Sequence, residues 1–361
     1  MRRVRSATVL GVTIWLVCAS AAAQSTPPSS NWDIDIHGGG ISATTPSKGT
    51  FALPSPAAVT TTGNRPVPSW YFGDGSSQLN QFPSVRVSGP LASLDSLLQR
   101  RLLERQSGGT FGARVARRIT RHFGAELTVD YALGELAMTS QSTSAIEAAR
   151  ASFVTAFNGL FSTPLVAART IDSATTVSEH EGRQIITTGA LLFNVNPSGR
   201  FAPYATVGAG HISYLDTPPR AELKGTYQIA LNVPGFPGPV PTLIQVDTLT
   251  IRSSIENGVV WVFGGGVKYA LSNRWGVRLD VRDYVRSNTI STTVDAAPST
   301  TSPTTFGSLF FITLNNPPLV FNGPNAFSSS TLSGSVKDFE TFRGTGVEHQ
   351  INVTAGLFWR F

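Results

Sequence analysis

Apolar and polar residues alternate with a period of two along much of the chain, most plainly in WGVRLDVRDYVR from Trp275 to Arg286. Odd positions carry Trp, Val, Leu, Val, Asp and Val; even positions carry Gly, Arg, Asp, Arg, Tyr and Arg. Successive side chains of a strand point to opposite faces, so this stretch predicts a strand with one apolar and one charged face. Similar patterns predict strands near residues 32 to 43, 108 to 119, 124 to 136, 182 to 195, 201 to 215, 257 to 271 and 347 to 361, with the first at 275 to 288. Three short connections, Thr120 to Phe123, NPSGR and SNR, hold the Asn, Ser, Pro, Gly and Arg expected of tight turns.

The connections alternate in length. Long segments, about 44–107, 137–181, 216–256 and 289–346, follow the odd-numbered strands, and the short turns follow the even ones. All short turns then share one rim with both chain ends, and all long loops share the other. An even strand number with that asymmetry predicts an all-β fold: an eight-stranded antiparallel up-and-down transmembrane β-barrel with long extracellular loops. The faces agree. Leu127, Val129, Leu279, Val281, Val353 and Leu357 lie on one side of their strands, and Glu126, Asp130, Arg278, Asp280, Asn352 and Thr354 on the other. A lipocalin-like soluble barrel has the same alternation turned inside out. The loop asymmetry, the aromatic C-terminal residue, and Trp261, Tyr269, Trp275 and Trp359 near strand ends favour lipid outside and polar groups inside.

Composition narrows this further. Arg2, Arg3 and Arg5, an apolar run from Ala7 to Cys18, and the small residues of ASAAAQ read as an export signal over 1–23, leaving 24–361 as a single barrel domain. Val17 before Cys18 argues against a lipid anchor. Cys18 is the only cysteine, so the mature chain has neither disulfide nor thiolate ligand. The formal charge of +6 falls to +3 without the leader's three arginines, too mild for a nucleic-acid partner. No other stretch is apolar enough for a spanning helix, and a closed barrel is the alternative that satisfies every backbone group in lipid.

The end NVTAGLFWRF, with Leu357, Trp359 and Phe361 alternating to the terminus, resembles the signal by which outer-membrane barrels are read by the barrel-assembly machinery. RFAPYATVGAGH and YALSNRWGVRLD are similar to the fifth strand and sixth turn of the OmpA-like family of eight-stranded outer-membrane β-barrels. That resemblance covers the strands and not the loops. It implies an integral protein of the bacterial outer membrane, in contact with lipid and lipopolysaccharide, and it specifies an activity poorly.

By parity the barrel interior receives Asp33, Asp35, His37, Arg114, Arg118, Glu126, Asp130, Lys268, Arg278, Asp280, Arg282 and Arg286. An eight-stranded interior is just wide enough to be filled by side chains, so this cluster is expected to be a mutually neutralised plug rather than an ion path. In the first loop, Leu91, Leu94, Leu98 and Leu102 fall on one helical stripe; in the second, Ser144 and Glu147 form a capping-box pattern ahead of Ile146, Ala149, Phe153 and Phe157. Two such helices over one rim suggest a packed cap, against two independent loop helices. The segments GTYQIALNV and TLIQVDTLTI around PGFPGPVP predict a hairpin extending the fifth and sixth strands. The fourth loop is rich in Ser, Thr and Pro, with the apolar stretch GSLFFITL.

The chain carries no zinc-protease, nucleophile-elbow, P-loop or calcium-loop pattern, and no cofactor or metal is expected. Lipid A deacylases resemble small barrels with a His-x-Ser pair on the outer wall, and His211 and Ser213 in GAGHISY have that spacing. A serine nucleophile also needs a third group orienting its histidine. The expected protein is therefore a monomeric, non-enzymatic surface or envelope-structural barrel whose loops recognise an unknown external ligand. The alternatives are a narrow pore or small hydrophobic-molecule transporter, and a lipid A-modifying enzyme.

Overall fold

In the computed structural model the described residues are 31–44, 48–54, 70–73, 89–160, 166–178, 182–197, 199–232, 235–301, 320–323, 326–329 and 336–361. The expected export signal over 1–23 and the apolar stretch at 307–314 lie outside them.

Eight strands close into a ring: β1 (Trp32–Ala43), β4 (Gly108–Arg118), β5 (Phe123–Ala132), β8 (Gln184–Asn194), β9 (Phe201–Tyr214), β12 (Gly258–Ala270), β13 (Trp275–Thr301) and β16 (Val336–Arg360). Each is antiparallel to its neighbours, and β16 closes the ring by pairing with both β1 and β13. Ring closure removes the unpaired backbone edge that an open sheet would present to lipid. The faces sort as parity predicts. Ile36, Leu127, Leu191, Val207, Leu279, Val353 and Leu357 point outward, about half or more of each side chain exposed, while Arg114, Glu126, Asp130, Arg278 and Arg282 are buried in the interior. Apolar exposure distributed around a whole ring calls for a lipid solvent.

Two strands run much farther than a membrane crossing requires. β13 has 27 residues and β16 has 25, against expected lengths that stopped at Asn288 and began at Val347. Their pairing continues from Trp275↔Trp359 up to Ala296↔Val336. Along β13 the polarity of the faces inverts. Below Ser287 the outward row is Trp275, Val277, Leu279, Val281, Asp283 and Val285; above it, Thr289, Ser291, Thr293 and Asp295. The inward row changes from Arg278, Asp280 and Arg282 to Ile290, Thr292, Val294 and Ala296. One strand thus passes from lipid outside and charge inside to water outside and an apolar core inside.

Other wall strands continue upward with it. β10 (Arg220–Leu231) and β11 (Val240–Ile255) form the expected hairpin, prolonging β9 and β12 past short breaks at 215–219 and 256–257. β11 takes over the edge of β13 where β12 leaves it: β12 pairs up to Trp261↔Val285, and β11 begins at Ile255↔Ile290. β7 (Val166–Ser178) prolongs β8 in the same way and pairs with β10, while β2 (Gly49–Phe51) pairs with β16. The wall therefore rises as an open sheet on one side of the mouth.

The first two loops fill the concave side of that sheet. Helix α2 (Ser140–Leu160), the segment Trp70–Phe72, and Leu91, Leu94, Leu97, Leu98 and Leu102 pack with Leu223, Tyr227, Leu249, Ile251 and Val294 in one apolar core. The first-loop helix is shorter than its leucine spacing predicts. Only one turn forms, α1 (Asp95–Leu98), because Leu103–Arg105 becomes strand β3 and pairs with β6 (Leu136–Met138), drawing Leu102 out of helical register. All four leucines are nevertheless buried. Helix α2 starts earlier than the expected box at Ser144. Thr139 caps it, its Oγ1 accepting from the Ser142 N–H at 3.2 Å, and Glu147 instead pairs with Arg150. The fourth loop contributes a small ribbon of β14 (Val320–Gly323) and β15 (Ala326–Ser329).

Candidate functional site

Strand pairing brings inward-pointing residues of distant segments into layers, beginning at the rim that carries the short turns. There Asp33 of β1 accepts from Lys268 Nζ of β12 at 2.8 Å and from Arg360 Nε of β16 at 3.1 Å. Arg118, assigned to the interior by parity, is half-buried at this rim and lines a depression of about 40 Å³ together with Asp33, Lys268 and Arg360.

The next layer is the densest. Glu126 accepts from Arg278 Nη1 at 2.6 Å and makes a short contact with Arg282. Asp280 accepts from Arg282 Nε at 2.6 Å and Arg278 Nη2 at 2.9 Å, and closely from the Tyr204 hydroxyl. Arg114 lies 3.6 Å from Asp280 and donates to the Thr354 hydroxyl at 3.0 Å. Two carboxylates thus face three guanidiniums, with Asp35 a further 3.8 Å from Arg114. Unpaired charges so deeply buried would be costly, and bidentate guanidinium contacts are the geometry that offsets the cost.

Above this, His37 bridges two acids, Asp35 on its Nδ1 side at 2.9 Å and Asp130 on its Nε2 side at 2.5 Å, and Tyr284 donates to Asp130 at 2.8 Å. An apolar shelf follows, formed by Ile41, Ala132, Ile186, Ile212, Val260 and Val262 beside the Tyr284 ring. At the cap end Arg286 donates to Glu348 at 2.6 Å and to the Tyr214 hydroxyl at 2.8 Å, while Arg105 donates to Gln184 at 2.7 Å. The sequence reading missed Glu348, Tyr204 and Tyr214. Even-numbered parity on β16 and β9 would have found all three; Arg105 comes from β3, a strand of three residues within the first loop, too short to leave a periodic signal.

Several buried polar atoms have no protein partner, among them both side-chain polar atoms of Gln350 and Asn352 on β16 and the hydroxyls of Thr188 and Thr206 opposite. Buried polar groups are normally satisfied, so ordered water is expected at these positions.

On the outer wall His211 Nδ1 lies 3.1 Å from Ser213 Oγ, and no described carboxylate contacts His211. His349 Nδ1 meets Asp283 at 2.8 Å, an outward pair among apolar neighbours. His122 stands in a turn with its Nδ1 2.9 Å from the Asn194 carbonyl, and His180 lies outside the described residues. Among the described residues there is no group of His, Cys, Asp and Glu side chains arranged to hold a metal ion. Leu357, Trp359 and Phe361 all face outward at the turn rim, where Trp32, Phe123, Phe193, Phe201, Tyr269 and Trp275 complete an exposed aromatic girdle.

A closed ring with an apolar outer wall, an aromatic girdle and a charge-paired interior defines an integral outer-membrane β-barrel protein. The chain belongs to the outer membrane protein beta-barrel domain family, whose model matches residues 12–302, and its location is the bacterial outer membrane. Among solved structures it is similar to the outer membrane protein OprG from Pseudomonas aeruginosa, at 12% identity over 92% of this chain and 97% of that one, with a TM-score of 0.38. A Pseudomonas aeruginosa FadL homologue matches at 8% identity over 91% and 90% of the two chains, with a TM-score of 0.13. No curated protein matches it.

Proposed function

We propose that the protein is a monomeric, non-enzymatic barrel of the OmpA-like kind, an anchor that carries its cap outside the cell as a recognition surface. The observation that carries this reading is the state of the bore: paired charges fill its middle, and an apolar core closes its outer end. The inversion of polarity along β13 supports placing the cap in water beyond the outer leaflet, with lipopolysaccharide around its base and the short turns toward the periplasm. The outward Leu357, Trp359 and Phe361 suit a terminal signal read by the barrel-assembly machinery.

The discriminating experiment is conductance in planar bilayers. The protein recovered from membranes is expected to give no steady channel, and a Phe153→Ala variant with a loosened cap is expected to stay closed, because the Glu126, Arg278, Asp280 and Arg282 layer remains. Steady conductance from the parent protein would put the narrow-pore reading first.

Among the described residues no carboxylate contacts His211 to orient it, which favours the non-enzymatic reading over the deacylase one. Expression is expected to leave lipid A acylation unchanged, as measured by mass spectrometry. Loss of an acyl chain that Ser213→Ala abolishes would make the protein an enzyme.

A further inference from the structure

The rim of short turns is strongly one-sided in charge. Its turns hold Arg121, Arg200 and Arg274, and the adjoining strand ends hold Arg117, Arg118, Lys268 and Arg360. Among the described residues the side-chain acid at this level is Asp33, already engaged by Lys268 and Arg360. Several arginines elsewhere meet acids: Arg278 and Arg282 meet Glu126 and Asp280 inside the barrel, and Arg252 and Arg343 meet Asp295 and Glu340 on the cap. At the rim, Arg118, Arg200 and Arg274 face no described carboxylate within ion-pair distance.

This excess sits at a defined depth. Trp32, Tyr269, Trp275 and Trp359 expose their rings beside it, and amphipathic rings of this kind settle at the level of lipid head groups. The Arg117 guanidinium lies 5.3 Å from the centre of the Trp32 ring, carrying its charge to the same level. At the mouth of the bore, the depression of about 40 Å³ is walled by Asp33, Arg118, Lys268 and Arg360, with Asn194 offering a further polar edge. It has room for water. Guanidinium groups are suited to phosphate because their donors match it bidentately.

We propose that this rim binds the head groups of anionic phospholipids in the leaflet that meets the short turns, through Arg117, Arg118, Arg200 and Arg274. The inference rests on the membrane-barrel reading and on that rim facing a phospholipid leaflet. The unmatched cations and the aromatic girdle make the occupant a lipid that combines net negative charge with acyl chains lying against the apolar wall. On the cap, by contrast, Arg150, Arg183, Arg252 and Arg343 each meet an acid.

The protein recovered from membranes and held in zwitterionic detergent is titrated with short-chain phosphatidylglycerol, short-chain phosphatidylcholine and inorganic phosphate, with bound molecules counted by native mass spectrometry. Phosphatidylglycerol is expected to bind at least about 10-fold more tightly than phosphatidylcholine, in proportion to the several basic side chains at the surface. The triple variant Arg118→Gln, Arg200→Gln, Arg274→Gln is expected to lose that preference while still migrating faster unheated than heated in a denaturing gel, as a closed barrel should; an Arg343→Gln cap variant is expected to keep both. Equal affinity for the two lipids, or a preference that survives the triple substitution, overturns the proposal. Inorganic phosphate binding as tightly as phosphatidylglycerol overturns the lipid assignment in favour of free phosphate. Failure of the barrel reading itself would appear separately, as unheated and heated bands of equal mobility in the parent protein.

Discussion

Glu126→Ala is expected to destabilise the barrel by roughly 3–5 kcal/mol, the usual effect of removing one partner from a buried ion pair. Glu126 is the shared acceptor of Arg278 and Arg282, and the side chains of all three are essentially inaccessible to solvent. Without it, Asp280 must serve Arg278, Arg282 and Arg114 together. The ring cannot relax to admit bulk water without breaking its ladders. The measurement is a urea titration of the protein in lipid vesicles, reading the folded fraction from unheated gel mobility. The paired replacement Glu126→Leu with Arg282→Met, which removes one charge of each sign, is expected to recover much of the loss. A loss below about 1 kcal/mol for Glu126→Ala would mean that water screens this layer, since exposed pairs contribute about that little, and would favour a hydrated pore.

The ring itself was legible because lipid and a charged bore impose opposite demands on alternate residues, which is the pattern of period two. Strand ends were less legible where the demand changed. β13 was expected to stop at Asn288 because a membrane crossing ends there, yet the alternation continues with its sign reversed, in Thr289, Ser291 and Thr293 outward and Ile290 and Val294 inward. β7 escaped notice because VAARTIDSATTVS mixes apolar and polar residues on both of its faces rather than separating them. Its place in the sheet is given by pairing with β10, a long-range fact no local window contains.

The bore shows the same division. Parity places acids and bases on inward faces, and it cannot say which meet, since partners such as Arg278 and Glu126 are 152 residues apart in sequence. Of the twelve residues expected inside, ten are buried, and Asp33 and Arg118, at strand ends, are half-buried at the short-turn rim. At the opposite end, Arg286 finds its acid in Glu348, one position inside the expected start of the last strand.

Phe153→Ala is expected to unfold the cap and leave the barrel standing, with a loss of about 3–5 kcal/mol confined to the cap core. The Phe153 ring lies with its centre 4.4 Å from Trp70, 4.8 Å from Phe157 and 5.1 Å from Tyr227, edge-on to the last. The wall behind is built for it: a Cβ on Gly225 would come 2.9 Å from the Phe153 ring, so only glycine lets the helix approach. The variant should retain its fast unheated band and lose the near-ultraviolet dichroism of Trp70, with new proteolytic cuts in β7 and β10. Loss of the fast band as well would mean that cap and barrel fold as one unit.

Alkali tests the same core from the other side. The Tyr71 hydroxyl donates to the Asp247 carbonyl at 2.6 Å and that of Tyr227 to the Asp247 carboxylate at 3.2 Å. Burial, and then the charge of Asp247, push both phenols well above their ordinary value. A raised folded pKa gives stability that is complete below the unfolded value of about 10, and that falls as pH rises beyond it, because only the unfolded cap can then release the protons. The cap should therefore loosen above pH ~10 while Tyr71 and Tyr227 stay protonated until it opens. Tyrosinate absorbance followed together with Trp70 dichroism should show the two changes coincide. Smooth titration of every tyrosine ahead of the dichroism change would mean that water reaches Asp247, and that the cap is a looser cover than its packing indicates.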